Sequence, residues 1–396
     1  MPASAAGGEP VSGPPRVCMV VCNFSPAVGG TERQAEALAR GLLAEGGETF
    51  VLTQRAAGLP REEISGGLRV LRRLGGPERR GIEGIGYLLG AARLLLRERR
   101  RYDLIHCHGI YLHTVAAVLV ARAAGKRVVV KAACGGAYGD LAAMRRHKGG
   151  RALIAICRAA DRFVAVSSEI ADELRAAGVP ARRIVAMPPL LDTERFRPAE
   201  TAEKAALRGA LGLPASGLLV SSVGRLAPQK GLGTLLDAWG RLVDRPRATL
   251  LLVGDGPARG ELERRARGDD TAGRVRFLGE RRDVADILRA SDAFAFHSLS
   301  EGMPNALVEA MACGLPCVSS ATGGARDLVR HGLNGLLVEP SDAAALAGAL
   351  ETILLDAGLR LRLGEAARAA AAARCAARLV TGRYRALYRE LRAPAV

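Results

Sequence analysis

Residues 218–231 read Leu-Leu-Val-Ser-Ser-Val-Gly-Arg-Leu-Ala-Pro-Gln-Lys-Gly: an apolar run of strand length that ends at Gly224-Arg225 and passes through Lys230-Gly231 into the helical period of Leu232–Leu242. A strand followed at once by a longer helix is half of a parallel crossover unit, because parallel neighbours need a long connection. Downstream, Thr249–Val253, Val275–Leu278, Ala293–Phe296, Pro316–Ser319 and Gly335–Val338 read as strands, with helix between them as at Asn305–Ala312. Upstream, an earlier cycle runs through Val17–Val21, Thr49–Thr53, Leu68–Leu71, Leu104–His106, Arg127–Lys131, Arg162–Val166 and Ile184–Met187. Its first turn is Gly29-Gly30 and its first helix Thr31–Glu45. Pro188, Pro189 and Pro198 interrupt the alternation. The expected fold is α/β, two Rossmann-like doubly wound parallel-sheet domains facing across a cleft. The expected divisions are a disordered tail at 1–15, a first domain at 16–190, a linker at 191–204, a second domain at 205–375 and a terminal helix at 376–396 that returns to the first domain.

Composition agrees with two globular cores. Of 396 residues, 49% are apolar and 24% charged, which excludes a disordered chain. No run of 18 uncharged apolar residues occurs, so no spanning helix is expected. Eight cysteines are too sparse for a disulfide scaffold, and Met1-Pro2-Ala3-Ser4 lacks the basic and apolar regions of a signal peptide, so a cytoplasmic location is expected. Lys and Arg number 57 against 40 Asp and Glu, a net charge of +17, and residues 1–190 hold 28 basic and 16 acidic side chains. Nearly all the cations are Arg, an excess that genome composition also produces, and no nucleic-acid motif accompanies them, so nucleic acid is not an expected partner.

Three strand ends carry chemistry. After the strand near Phe294–His297 come Glu301-Gly302-Met303-Pro304-Asn305-Ala306-Leu307-Val308-Glu309, with one carboxylate on the loop and a second two turns into the helix. Helix N-terminal amides attract an anion such as a diphosphate, and carboxylates accept hydrogen bonds from sugar hydroxyls. Capping for Glu301 and a solvated position for Glu309 explain the pair equally well. Arg225 and Lys230 can aim two cations at one phosphate-bearing site while Gly224 lets the backbone approach. Val253-Gly254-Asp255-Gly256-Pro257 is a third glycine-rich strand end.

Together, Gly224-Arg225, Lys230-Gly231, Val253–Pro257, Phe277-Leu278-Gly279, the Glu301/Glu309 segment and Gly323-Gly324 resemble the GT4-type (group 1) retaining glycosyltransferases of GT-B fold. The first half agrees through Gly29-Gly30-Thr31-Glu32, Asp103–Gly109, Val164–Ser168 and Leu191–Pro198. The resemblance implies a hexosyltransferase-type enzyme with a nucleotide-diphosphate sugar as co-substrate, no cofactor and no metal. It implies that Arg225 and Lys230 hold the diphosphate and Glu309 the ribose hydroxyls. Glu301 and the turn Gly302, Met303, Pro304, Asn305, with Ala306 and Leu307 behind it, would serve the donor sugar, and Gly29 and Gly30 would close over the diphosphate from the first domain. A hydroxyl acceptor, whether polysaccharide, glycolipid or small natural product, belongs to that domain. A sugar-nucleotide 2-epimerase shares the architecture, and a non-catalytic basic protein that binds membranes or nucleic acid is a further alternative.

The chain departs from that pattern in places. Where relatives have His-Gly after the strand at Arg127–Lys131, it reads Lys131-Ala132-Ala133-Cys134-Gly135-Gly136. His108 then becomes the leading catalytic side chain of the first domain, expected at a strand end facing the cleft, with Glu32, Lys131 and Gly135 on the acceptor side. A hydrogen-bonded structural role explains His108 equally well. Pro188-Pro189-Leu190-Leu191-Asp192 replaces the usual Pro-Asn-Gly-Val-Asp, and Met303-Pro304 stands where small or aromatic residues are common, a change expected to alter sugar preference. His106 and His108 share a strand face without a third ligand nearby, so no metal site is expected. Basic stretches at Arg93–Arg101 and Met144–Arg158 suit either peripheral contact with an anionic inner membrane face or plain solvation.

Overall fold

The computed structural model describes residues 13–26, 29–75, 83–242, 247–268, 271 and 273–392. The expected tail lies outside the described residues except for 13–15. In the first half the order is β1 (Val17–Val21), α1 (Gly30–Ala44), β2 (Thr49–Gln54), β3 (Glu62–Ser65), β4 (Leu68–Leu74), α2 (Glu83–Glu98), β5 (Leu104–His108), α3 (Leu112–Ala124), β6 (Arg127–Ala132), α4 (Asp140–Arg146), α5 (Gly150–Cys157), β7 (Arg162–Ala165), α6 (Ser168–Ala176) and β8 (Ile184–Ala186). The second half runs α7 (Thr201–Ala210), β9 (Leu218–Val223), α8 (Leu232–Gly240), β10 (Ala248–Val253), α9 (Arg259–Arg265), β11 (Val275–Gly279), α10 (Val284–Ala290), β12 (Ala293–Phe296), α11 (Asn305–Ala312), β13 (Cys317–Ser320), α12 (Gly323–Leu328) and β14 (Leu336–Val338). Three helices follow: α13 (Ala343–Leu355), α14 (Ala357–Cys375) and α15 (Ala377–Arg392).

The first sheet has the order β3-β4-β2-β1-β5-β6-β7-β8 and the second β11-β10-β9-β12-β13-β14. Every pairing is parallel except β3 with β4. Both sheets are therefore doubly wound α/β layers with helices on each face. Strand β1 shows why its apolar run is continuous: Cys18 and Val20 enter the core on one face, and Val17, Met19 and Val21 the core on the other. In α8 the apolar positions Leu232, Leu235, Leu236 and Trp239 fall on one helical stripe, which buries Trp239 completely. That helix starts at Gly231, whose φ of +56° is left-handed, and a Cβ there would lie 2.6 Å from the carbonyl oxygen of His297.

The chain crosses between the sheets twice at one place. Leu191 N donates to Cys375 O at 2.8 Å, and Ala377 N donates to Leu191 O at 2.8 Å. Helix α15 then packs on the first sheet, burying Val380, Tyr384, Leu387 and Tyr388 among Val17, Met19 and Leu38. Tyr388 Oη lies 2.7 Å from His106 Nδ1 on β5.

Burial disfavours the charged form of three imidazoles of the first domain. It holds His106 at about 3 and His113 at about 4, and drives His108 well below its ordinary value. Such groups take up a proton near pH 6.5 only in the unfolded chain, so the stability present above that pH is lost as pH falls. Asp140, raised by burial to about 6, acts in the opposite sense below that pH. His297 adds to the three imidazoles, and Glu169 and Glu309, also raised by burial, add to Asp140; with the imidazoles the more deeply buried set, the melting temperature should drop between pH 7 and pH 5 in a thermal-denaturation series. A flat profile would mean that these imidazoles are charged or hydrated in the native state.

Candidate active site

In each sheet the strand order reverses once, between β1 and β5 and between β9 and β12, and ligands of doubly wound sheets sit outside the carboxyl ends at such points. Beyond the second reversal a small hollow is lined by Ser222, Val223, Gly224, Arg225, Lys230 and Phe296. The loops that form it touch through their backbones: a Cβ on Gly254 would lie 2.0 Å from Gly224 O. Arg225 is exposed and has no ion pair or side-chain hydrogen bond among the described residues. Lys230 ends a single 3-10 turn at Pro228–Lys230 and pairs with Glu301, whose Oε1 also accepts from Ser298 Oγ at 2.8 Å. Two of the expected site residues thus meet directly.

Helix α11 follows the turn. Pro304 O accepts from Leu307 N at 3.1 Å and Val308 N at 3.2 Å, so the amides of Asn305 and Ala306 have no acceptor within the helix. Glu309 is buried, its Oε2 has no partner, and burial raises its carboxyl above the usual range. Its Oε1 lies 3.4 Å from Arg33 Nη1 of α1. One turn earlier, Asn305 Nδ2 donates to Gly30 O at 3.3 Å. The first turns of α1 and α11 therefore lie against each other across the domain boundary, with Gly29 and Gly30 at the junction. Glu32 folds back over Gly29, where a Cβ would meet its carboxylate at 2.1 Å.

A second contact joins the domains. Ser300 Oγ donates to Gly135 O at 2.9 Å, Gln229 Nε2 donates to Ser300 O at 2.8 Å, and Gly302 closes on Ala133. Asp327 accepts from Ser168 N and Ser168 Oγ, each at 2.7 Å, at the start of α6. Beside this contact lies a groove of about 800 Å³ lined by Glu169, Asp172 and Glu173. Those carboxylates, with Arg326 the one cation among the lining residues, disfavour a phosphate there.

Other expected positions differ from the reading of the sequence. His108 is 1% exposed rather than open to the cleft: both its nitrogens lack partners among the described residues, and its ring centroid lies 4.4 Å from that of His106, tilted by 33°. Lys131, its neighbour on β6, is also buried, and burial lowers its ammonium to about 8. The side chain of Leu307 belongs to the second core, and Met303 wedges between the cores of the two domains. Met303 therefore acts on domain contact, through its thioether's fit to both cores. Arg33, Ser298, Ser300, Gln229 and Asp327 were not singled out in the sequence. Each owes its place to a partner on another element, and Arg33 in isolation looks like an exposed helix charge.

Two linked doubly wound sheets with charged strand ends facing each other define the class of fold, and comparison gives its family. The chain belongs to the group 1 glycosyltransferases: residues 217–356 match the family described as Glycosyl transferases group 1, and residues 28–195 match Glycosyltransferase Family 4. It is 32% identical over 392 residues to D-inositol 3-phosphate glycosyltransferase of Xylanimonas cellulosilytica, covering 90% of this chain and 92% of that protein. It is 40% identical to lipopolysaccharide core biosynthesis glycosyltransferase LpsE of Rhizobium meliloti, a match spanning 40% of this chain and 46% of that one. In structure it is similar to Anabaena Alr3699/HepE in complex with UDP and glucose, with a TM-score of 0.79 at 22% identity over 95% of this chain and 100% of the other. The chain is a glycosyltransferase of GT-B fold.

Proposed function

We propose that the protein moves a sugar, with retention of configuration and without a metal, from a nucleoside diphosphate sugar to a hydroxyl acceptor. The observation that carries this reading is the convergence of Arg225, the Lys230–Glu301 pair, the α11 N-terminus and the buried Glu309 on one face opposite the start of α1. Glycosyl transfer builds positive charge at the anomeric carbon and negative charge on the departing diphosphate. Arg225, Lys230 and the free amides of Asn305 and Ala306 stabilise the second charge. Glu301 receives sugar hydroxyls and Glu309 receives the ribose. The bond from the anomeric carbon to the diphosphate breaks as the bond to the acceptor oxygen forms on the same face, and the acceptor's proton passes to the departing phosphate. The acceptor lies on the first-domain side of the cleft.

The test is a thermal-shift panel of UDP, GDP and ADP sugars, because a ligand bound only by the folded state raises the melting temperature. The nucleotide that shifts the protein is then used as donor, and the anomeric configuration of the product is read by NMR. No shift with any nucleotide and no sugar release would overturn the reading, and an inverted product would overturn the retaining step. Glu309→Gln should weaken binding of the active nucleotide about tenfold, the cost of two charge-assisted hydrogen bonds reduced to neutral ones. Titration calorimetry checks this, with Glu263→Gln, remote on α9, as the control expected to bind normally.

A further inference from the structure

Helix α2 buries Ala91, Leu94 and Leu95 in the first core and turns a different kind of face outward. Ile85 is 63% exposed, Leu89 62% and Leu96 41%, and on the adjacent α3 Leu119 is 46% exposed. Positions 85, 89, 93, 96 and 97 follow the helical period, so Arg93 and Arg97 lie along the same stripe as the leucines and isoleucine, with Arg100 just past the end of the helix. These three arginines are exposed and have no ion pair among the described residues. Arg145, Lys148 and Arg151, around the junction of α4 and α5, are exposed and unpaired in the same sense.

The charge balance of this layer is one-sided. Residues 84–158 contain 14 basic and only three acidic side chains. None of the three acids is on the outer face: Glu98 is buried and pairs with Arg69 and Arg101, Asp103 pairs with Arg16, and Asp140 is buried at the start of α4. A solvated basic helix has no reason to expose large aliphatic side chains at helical spacing, and a protein-interface core is usually depleted of unpaired charge. Exposed aliphatics flanked by arginines whose apolar stems reach past them match the interface of an anionic bilayer. The stripe also starts at the cleft: Tyr87 Oη of α2 lies 3.5 Å from His113 Nδ1, at the carboxyl ends of β1 and β5.

We infer that the outer face of α2 and α3, bordered by the α4–α5 junction, docks on a membrane rich in anionic phospholipid. Ile85, Leu89, Leu96 and Leu119 enter the headgroup region and the arginines engage phosphates. Docking brings the acceptor side of the cleft to the lipid surface, so it fits a membrane-anchored hydroxyl acceptor; that purpose, though not the docking, rests on the transferase reading.

The test uses the purified full chain with vesicles of phosphatidylcholine alone and of phosphatidylcholine with phosphatidylglycerol. Sedimentation is expected only with the anionic vesicles, and weaker in high salt. Ile85→Asp with Leu89→Asp, and separately Arg93→Glu with Arg97→Glu, should each reduce bound protein at least about tenfold. Arg368→Glu, exposed on α14 of the other domain, should bind as the parent does. The nucleotide-induced thermal shift should survive in all variants, which verifies folding. Equal binding by all variants, no binding to anionic vesicles, or a dimer in light scattering that the α2 substitutions dissociate would each overturn the proposal. Vesicle binding without any nucleotide shift would instead leave the docking intact and remove the transferase reading.

Discussion

Replacing Lys230 with Met is expected to lower kcat by about 10²–10³, the loss typical when one preorganised charge-stabilising group is removed from a transition state. The ammonium has two partners in turn. In the free enzyme it neutralises Glu301, whose carboxylate is otherwise held, among the described residues, by Ser298 Oγ. In the proposed transfer it faces the departing diphosphate, where negative charge grows. Removing it uncovers a carboxylate beside that growing charge, so repulsion adds to lost attraction. Arg225→Ala should fall in the same range by attraction alone, since Arg225 has no ion-pair partner among the described residues to release. Lys230→Arg should not restore the rate, because a planar guanidinium cannot replace a compact ammonium in the same space. Steady-state kinetics separate the cases: a drop in kcat and kcat/KM together marks a transition-state role, and a rise in KM alone marks binding only. Normal turnover in both Lys230→Met and Arg225→Ala would remove these residues from the mechanism.

Gly302→Val is expected to cost about 10²-fold in turnover without unfolding the protein, as small misplacements of reacting groups do. A Cβ at position 302 would lie 2.1 Å from Ala133 O and 3.0 Å from Ile170 Cδ1, both in the first domain. Neither a backbone carbonyl nor a core isoleucine can yield by that much, so the turn must withdraw and the Ser300–Gly135 contact must open. Arg225 and Lys230, the proposed diphosphate cations, belong to the second domain and stay in register, whereas Gly29 and Gly30 at the start of α1 lose their approach. Nucleotide affinity should therefore fall far less than kcat. If kcat were unchanged, the closed contact of the 300–302 loop with the 133–135 loop would have no part in catalysis.

The central strands were readable because a strand buried on both faces has no polar positions to confuse its period. Val17–Val21, Leu218–Val223 and Ala293–Phe296 fall where the apolar runs place them. Strand β3 was not read, since Glu62-Glu63-Ile64-Ser65 lies at the sheet edge with Ile64 largely exposed and carries no burial pattern. The meeting of candidate side chains was legible where short spacing sets it, as with Lys230 at the end of its turn and Glu301 and Glu309 on either side of the start of α11. It was not legible where geometry is made between distant segments. Arg33 acquires meaning only when α1 meets α11. His108 is buried beside His106, and α15 reaches β5 through the Tyr388–His106 contact across 282 positions of sequence. No local pattern encodes that cover.

The paired crossing at Leu191 and Ala376 makes the second domain an insertion within the first, entering and leaving through adjacent hydrogen-bonded segments. At the other extreme of the described chain, Arg392 Nη1 donates to Gly13 O at 2.6 Å, so residues 13 and 392 also meet on the first domain. A force drawn between those two residues is borne by the first domain alone. The second domain lies outside that load path, tied to the first at the paired crossing and by the Ser300–Gly135, Ser168–Asp327 and Asn305–Gly30 contacts.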